Sequence, residues 1–169
     1  MVMKVSKSRL APGRLSEMPG IYDLSEPVGI SGGRATPPNK RDDVLLVQYF
    51  LQSIFKASRV RPLGHMSIDG IYGPMTHYWS LFFMHVVEVL SDGQSNIREE
   101  AGNINPFTRN EHKFPIGGGD TSMIFQMNYQ FWKLHKTTFA HLERDEPTVP
   151  GELKQVLLKS IEANRKAAG

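Results

Sequence analysis

The segment that most constrains the fold is the stretch Ile-Asp-Gly-Ile-Tyr-Gly-Pro-Met-Thr at residues 68–76. Asp69-Gly70 is a turn signal, because an aspartate accepts local backbone hydrogen bonds and a glycine adopts backbone angles that other residues avoid. Gly73-Pro74 predicts a helix start, with glycine at the N-cap and proline at the first helical position, where its missing N–H costs nothing. The stretch therefore predicts a tight turn that runs directly into a helix.

Apolar spacing predicts a helix on each side of this turn. Upstream, residues 42–57 carry apolar side chains at helical spacing, and either Asp42 or Asp43 is suited to cap that helix or to favour its positive end. Downstream, residues 74–90 are apolar nearly all round. Such a helix must be covered on several sides, by the rest of the chain or by a partner.

The chain divides into four predicted regions. They are an extended docking arm at 1–40, a helical domain at 41–90, a long polar loop at 91–119 and a C-terminal helical extension at 120–169. The extension is predicted to hold helices at about 121–142, started by Asp120-Thr121-Ser122, and at about 150–167. The arm is rich in glycine and proline, yet apolar residues recur in it. We therefore expect it to dock on a surface, either that of its own domain or that of a neighbour, and we predict that it buries its apolar residues against other chains.

A series of residues in the first helix, the turn and the second helix forms a recognisable motif. Its members are Val44, Val47, Gln48, Leu51, Asp69, Gly70, Ile71, Tyr72, Gly73, Thr76 and Phe83. In order and spacing this series resembles the three-helix peptidoglycan-binding domain family, with its V-x-x-L-Q-x-x-L helix and DG-[IVF]-[FY]-G-x-x-T turn, over about residues 39–90. The resemblance implies a three-helix core and a module that contacts bacterial cell walls. After Thr76 the chain departs from the family, because bulky His77, Tyr78 and Trp79 stand where small residues are usual.

The candidate binding residues are Asp69, Tyr72 and Thr76 of the family-like turn, together with Tyr78 on the helix that follows it. Asp69 is suited to bond a wall sugar or a peptide amine, although we favour the alternative that it holds the turn. Thr76 is more typical of a helix entry than of a ligand contact. Tyr72, Tyr78 and Trp79 are aromatic groups of the kind that stack on sugars. We expect at least two of these three to be packed, with Tyr72 as the best candidate for exposure.

The sequence contains no catalytic constellation that we recognise. Glu99 and Glu100 are adjacent carboxylates, but no motif places a second carboxylate at the separation that a glycosidase requires. The histidines lack metal-site spacing, and cysteine is absent. We therefore expect no catalytic residue, no metal and no cofactor.

The net charge of +3 lies in the first forty residues, which carry six basic and three acidic residues. This density is thin for nucleic acid, so we do not expect a nucleic-acid partner. No apolar run reaches the length of a membrane span, and no apolar segment of a secretory signal peptide follows the first basic residues.

These features predict a mainly α fold, in which a three-helix peptidoglycan-binding-like core carries an extended N-terminal arm and two additional C-terminal helices. The predicted function is that of a non-enzymatic structural component of a larger particle, with a bacteriophage virion or tail as the leading case. Its predicted partners are other protein subunits, contacted through the arm and helix 74–90, with peptidoglycan as a further candidate. The alternatives are a bacterial cell-envelope protein that anchors to peptidoglycan and the binding module of a wall hydrolase.

Overall fold

The computed structural model describes residues 2–6, 18–30, 36–90, 95–97, 103–107, 119–144 and 149–168. The helices in this part of the chain are α1 (Arg41–Ala57), α2 (Pro74–Leu90), α3 (Met123–Leu134), α4 (Lys136–Ala140) and α5 (Gly151–Ala168). The strands are β1 (Met3–Ser6), β2 (Gly20–Asp23), β3 (Ser95–Ile97) and β4 (Gly119–Thr121). The predicted mainly α class is confirmed. No helix among the described residues is long and apolar enough to cross a membrane.

Helix α1 lies at the centre of the core. Its residues 44–51 are all buried, and it contacts α2, α3 and α5. Phe50 packs between Tyr22 of β2 and Phe131 of α3, with ring centroids 6.4 and 4.9 Å away. A helix that buries consecutive residues is covered on several sides, so α1 depends on both ends of the chain for its packing.

Residues 39–90 contain two helices, α1 and α2, so the three-helix core that the resemblance implied is not confirmed. Residues 58–73, between α1 and α2, are a connector without a helix. Pro62 disfavours a helix there because it lacks the backbone donor. The connector is held instead by the Gln52 amide of α1, which donates to the Met66 carbonyl oxygen at 2.8 Å.

The helix bounds agree with the sequence pattern for α1, α2 and α5 but differ in the C-terminal half. Helix α2 begins at Pro74, and the His77 N–H bonds the Gly73 carbonyl as a glycine N-cap requires. The single helix predicted at 121–142 is instead α3 and α4, separated at His135, whose backbone angles are not helical. Ser122 caps α3 by accepting a hydrogen bond from the Phe125 N–H at 3.3 Å.

The N-terminal segment at residues 18–30 packs largely on its own chain, which is one of the two surfaces expected for it. The prediction that its apolar residues are buried against other chains is wrong for the five that this chain covers, whereas Ile30 is exposed. Strand β2 pairs antiparallel with β1, from Met3 opposite Asp23 to Ser6 opposite Gly20. The side chains buried within the chain are Met18, Ile21, Tyr22, Leu24 and Val28. They are covered because helices α1 and α3 supply apolar surface. Residues 7–17 and 31–35 of the predicted arm lie outside the described residues.

Asp42 and Asp43 both lie in the first turn of α1, where their charges favour its positive end as one of the two expected roles requires, but neither is the N-cap. The N-cap of α1 is Lys40, which makes no side-chain cap bond. The Asp43 carboxylate instead accepts hydrogen bonds from the Ser25 N–H and hydroxyl, both at 2.8 Å, and from the Glu26 N–H at 3.1 Å. A buried carboxylate requires such donors, so Asp43 attaches the N-terminal segment to α1.

Part of the predicted loop at 91–119 has regular structure. Strand β3 pairs in parallel with β4, and Val28 bridges Ile104 through two backbone hydrogen bonds of 3.0 and 2.8 Å. These pairings are long-range in sequence, which is why local patterns did not reveal them.

Candidate functional site

The predicted turn is organised around the buried side chain of Gln48, on α1. Its Oε1 accepts hydrogen bonds from the Asp69 N–H at 3.1 Å and the Gly70 N–H at 2.8 Å. Its Nε2 donates to Asp69 Oδ1 and the Ile71 carbonyl, both at 3.0 Å, and to Thr76 Oγ1 at 3.1 Å. Thr76 is also buried. One amide therefore satisfies polar groups of the turn and of α2 that would be costly to bury alone.

The Asp69 carboxylate is exposed and holds the turn from outside. Its Oδ1 accepts a hydrogen bond from the Ile71 N–H at 2.9 Å in addition to the bond from Gln48. The bond from Gln48, followed by the one from Ile71, lowers the pKa of Asp69, because both donors favour the charged carboxylate. The side chain is therefore ionised at neutral pH, and its charge is directed toward the backbone of its own turn.

Gly70 has a φ of +73°, in the left-handed region, which confirms that one of the two motif glycines adopts an angle that other residues avoid. A Cβ at this position would lie 2.7 Å from Arg41 Cγ. Arg41 Nη1 donates to the Asp69 carbonyl oxygen at 2.6 Å, while Nε and Nη2 bond the two Glu152 carboxylate oxygens at 2.6 and 2.9 Å. Arg41 thus joins the turn to α5, a contact that no sequence pattern signalled.

The three aromatic residues around the start of α2 differ in exposure. Tyr72 is half-buried and its hydroxyl donates to Ser80 Oγ at 3.3 Å, and Trp79 is buried. Tyr78 is 37% exposed, and its hydroxyl accepts a hydrogen bond from the Leu63 N–H at 3.3 Å. Two of the three are packed, as expected, but Tyr78 and not Tyr72 is the exposed one. Tyr72 is drawn inward because its ring packs against the main core.

The four predicted site residues fall into two groups. Asp69 and Thr76 meet at Gln48, whereas Tyr72 and Tyr78 bond separate partners, Ser80 and Leu63. Thr76 is buried and bonded to Gln48, so a ligand would have to compete with that hydrogen bond to reach it, whereas Asp69 is exposed. The binding roles of all four residues stay predictions.

A group of exposed apolar side chains lies on the connector and on α2. Leu63 is 80% exposed, Val60 47% and Met75 39%, and Tyr78 belongs to the same group. The two elements are adjacent here, since Leu63 bonds Tyr78 and a Cβ at Gly64 would lie 3.0 Å from Met75 Cε. We call Leu63, Met75 and Tyr78, together with Val60 three residues earlier on the connector, the connector patch. Clustered apolar exposure of this kind marks interaction surfaces.

The titratable side chains of the described residues do not form a metal site. Within the described part of the chain, no three His, Asp or Glu side chains are placed to hold a metal ion. His77 is partly buried, and this burial lowers its pKa, which favours the neutral ring at pH 7. Glu99 and Glu100 lie outside the described residues.

Comparison of the chain with protein-family models, with curated proteins and with solved structures gives no significant match. The resemblance to the peptidoglycan-binding family therefore rests on the motif residues themselves, and membership of that family stays a prediction.

Proposed function

We propose that this chain is a non-enzymatic structural component of a larger particle, such as a bacteriophage virion or tail. In this proposal α1, the turn and α2 act as a packing unit that contacts neighbouring protein subunits. The observation that carries the proposal is the connector patch, where Leu63 is 80% exposed beside Met75 and Tyr78.

The state of the polar motif residues supports a packing role over a wall-binding role. A ligand-binding side chain needs free hydrogen-bonding capacity at an accessible place. Thr76 is buried with its hydroxyl bonded to Gln48, and Asp69 Oδ1 accepts two hydrogen bonds from its own chain. These bonds give both residues a structural purpose without any ligand.

The energetics of the connector patch favour association. Complete burial of a leucine side chain contributes about 1.5–3 kcal/mol. Leu63 is the most exposed of the large apolar side chains described, so a partner that covers it gains most of this amount. Tyr78 adds an aromatic ring, a group that is enriched at interface centres.

The proposal is tested by locating the chain in its natural source. Extracts are separated on a density gradient and the chain is detected with an antibody. We expect it to sediment with a particle much larger than its own 19.0 kDa and to be released only when the particle is dissociated. Recovery of the chain only as a free monomer would contradict the proposal.

The two alternatives are tested on the purified full chain. We expect weak or no sedimentation with insoluble peptidoglycan and no decrease in the turbidity of a cell-wall suspension. Strong sedimentation that Tyr72→Ala or Tyr78→Ala abolishes, with unchanged thermal unfolding, would establish a wall anchor. Lysis that Glu99→Gln or Glu100→Gln abolishes would establish a hydrolase.

A further inference from the structure

The connector patch lies in a positively charged part of the chain. Lys56, Arg59 and Arg61 are all exposed and flank Val60 on the connector and the end of α1. Residues 44–68 contain no aspartate or glutamate, so no acidic side chain of this segment offsets them. The patch therefore combines apolar side chains with an excess of positive charge.

Leu63 is presented by a well-anchored backbone. The residue before it, Pro62, is buried, and so is Met66, whose carbonyl accepts the hydrogen bond from Gln52. Gly64 has a φ of +78°, which turns the chain immediately after Leu63. A side chain held outward by such anchors loses little backbone entropy when a partner covers it.

We infer that the connector patch, together with Arg59 and Arg61, is a docking surface for an acidic protein segment with apolar side chains at its centre. The partner class rests on the proposed function, in which the neighbour is another protein subunit. Tyrosine, methionine and arginine are the residue types enriched at protein interfaces. Arginine also pairs with carboxylates through two parallel hydrogen bonds, which sets the orientation of the partner.

An anionic membrane surface is the competing occupant, and the observations favour protein. A basic cluster and one protruding leucine are a marginal membrane signal, since stable anchoring takes an acyl chain or a long amphipathic helix together with the charge. The apolar members of the patch come instead from two elements held together by the Leu63–Tyr78 hydrogen bond. A surface built from two elements in this way suits a protein segment.

The test uses two synthetic peptides and the purified full chain. One peptide is an amphipathic helix with leucine and tryptophan on one face and glutamate on the other, and its counterpart has lysine in place of every glutamate. Isothermal titration calorimetry measures both dissociation constants. We expect the glutamate peptide to bind at least about tenfold more tightly than the lysine peptide.

Variants then place the binding on the patch. We expect Leu63→Ser and Arg59→Glu each to weaken binding of the glutamate peptide by about tenfold or more. Arg61 is left intact because its guanidinium bonds the carbonyl at the end of α1. Matched controls on α5 are Leu158→Ser and Arg165→Glu, which change an exposed leucine and an exposed arginine elsewhere and should leave the affinity unchanged.

Several outcomes would overturn the inference. They are equal affinity for the two peptides, equal losses in the control variants, binding to phosphatidylglycerol vesicles in place of peptide, and a dimer that Leu63→Ser dissociates. Failure of the proposed function is distinguishable from these. If the chain prefers the glutamate peptide through Leu63 but is absent from any particle, the docking surface is supported and the proposed particle role is wrong. If the chain is part of a particle but binds the two peptides equally, only the docking surface is wrong.

Discussion

The turn at residues 68–76 and the N-terminal segment at residues 18–30 each form hydrogen bonds with a buried amide side chain, but over very different distances in sequence. Gln48 bonds the turn from 21 residues away. Asn128 bonds Tyr22 from 106 residues away, accepting from its N–H at 2.8 Å and donating to its carbonyl at 2.9 Å. The first amide organises a local unit. The second ties the start of the chain to its C-terminal half.

Because of this difference, we do not expect residues 39–90 to fold as an independent domain. A side-chain amide offers a donor and an acceptor, so Asn128 serves β2 as a neighbouring strand would. The N-terminal segment then covers one side of α1, and α3 covers another side of α1. The local unit is organised by Gln48 but is buried only by elements from both ends of the chain.

The largest expected effect is on the isolated fragment 39–90. We expect it to be largely unfolded, because Phe50 and Tyr49 lose their contacts with Tyr22 and Phe131 and two helices cannot cover α1. Far-ultraviolet circular dichroism during heating checks this, with the full chain as the control. A cooperative thermal transition of the fragment would show that the motif region is a domain after all.

The second expected effect is that of Asn128→Ala. Removal of this amide leaves the Tyr22 N–H and carbonyl buried without their partner, and each such group costs about 1–3 kcal/mol. We expect the free energy of unfolding in urea to fall by about 2–4 kcal/mol. Gln130→Ala, at a half-buried position of the same helix, is the control and should cost much less.

Backbone hydrogen exchange distinguishes the role of the Gln48 side chain from that of the Asn128 side chain. In Gln48→Ala we expect faster exchange at the Gly70 N–H, while the backbone amides of β2 stay protected. In Asn128→Ala we expect the reverse, with Tyr22 affected first. If both variants speed exchange equally at the Gly70 N–H and the Tyr22 N–H, the turn and the N-terminal segment unfold as one unit.

The sequence predicted the elements whose signals are local. Periodicity located α1, α2 and α5 within a residue or two, and Asp69-Gly70 located the turn. Long-range bonds were not predictable from a single sequence: nothing in local spacing links Asn128 to Tyr22 or Asp43 to Ser25. The N-terminal segment therefore looked like an arm for another chain.

The candidate site also has a part that local sequence signals predict and a part that they do not. The hydrogen bonds of Asp69 follow from turn chemistry, whereas the exposure of Leu63 depends on how the connector folds between two buried residues. The near-continuous apolar pattern of α2 was the one sequence signal for the proposed interface, since it exceeded what a single core face requires.

A smaller effect is expected for Gly70→Val. Valine is strained at a φ of +73°, and its Cβ would displace the Arg41 side chain that it approaches at 2.7 Å. We expect a loss of about 1–3 kcal/mol, measured by urea unfolding. Gly73→Ala is the matched control, because a Cβ there has no atom within 4 Å and the angle is not left-handed. Unchanged stability of Gly70→Val would show that the conformation of the turn does not stabilise the fold.

The smallest effect is expected for Asp69→Asn, and it depends on pH. The hydrogen bonds from Gln48 and Ile71 lower the pKa of Asp69 below the ordinary value of about 3.9. A lowered folded-state pKa stabilises the fold fully above the ordinary pKa, and this contribution is lost as the pH falls through the folded-state value. The asparagine keeps a carbonyl acceptor but lacks the charge, so the variant should be less stable at pH 7 by less than about 1 kcal/mol, since solvent screens an exposed carboxylate. Urea unfolding of both proteins at pH 7, 4 and 2.5 measures the difference, which should shrink toward acid. A difference that is constant or grows toward acid would show that the charge of Asp69 does not hold the turn, and that Gln48 acts through the backbone alone.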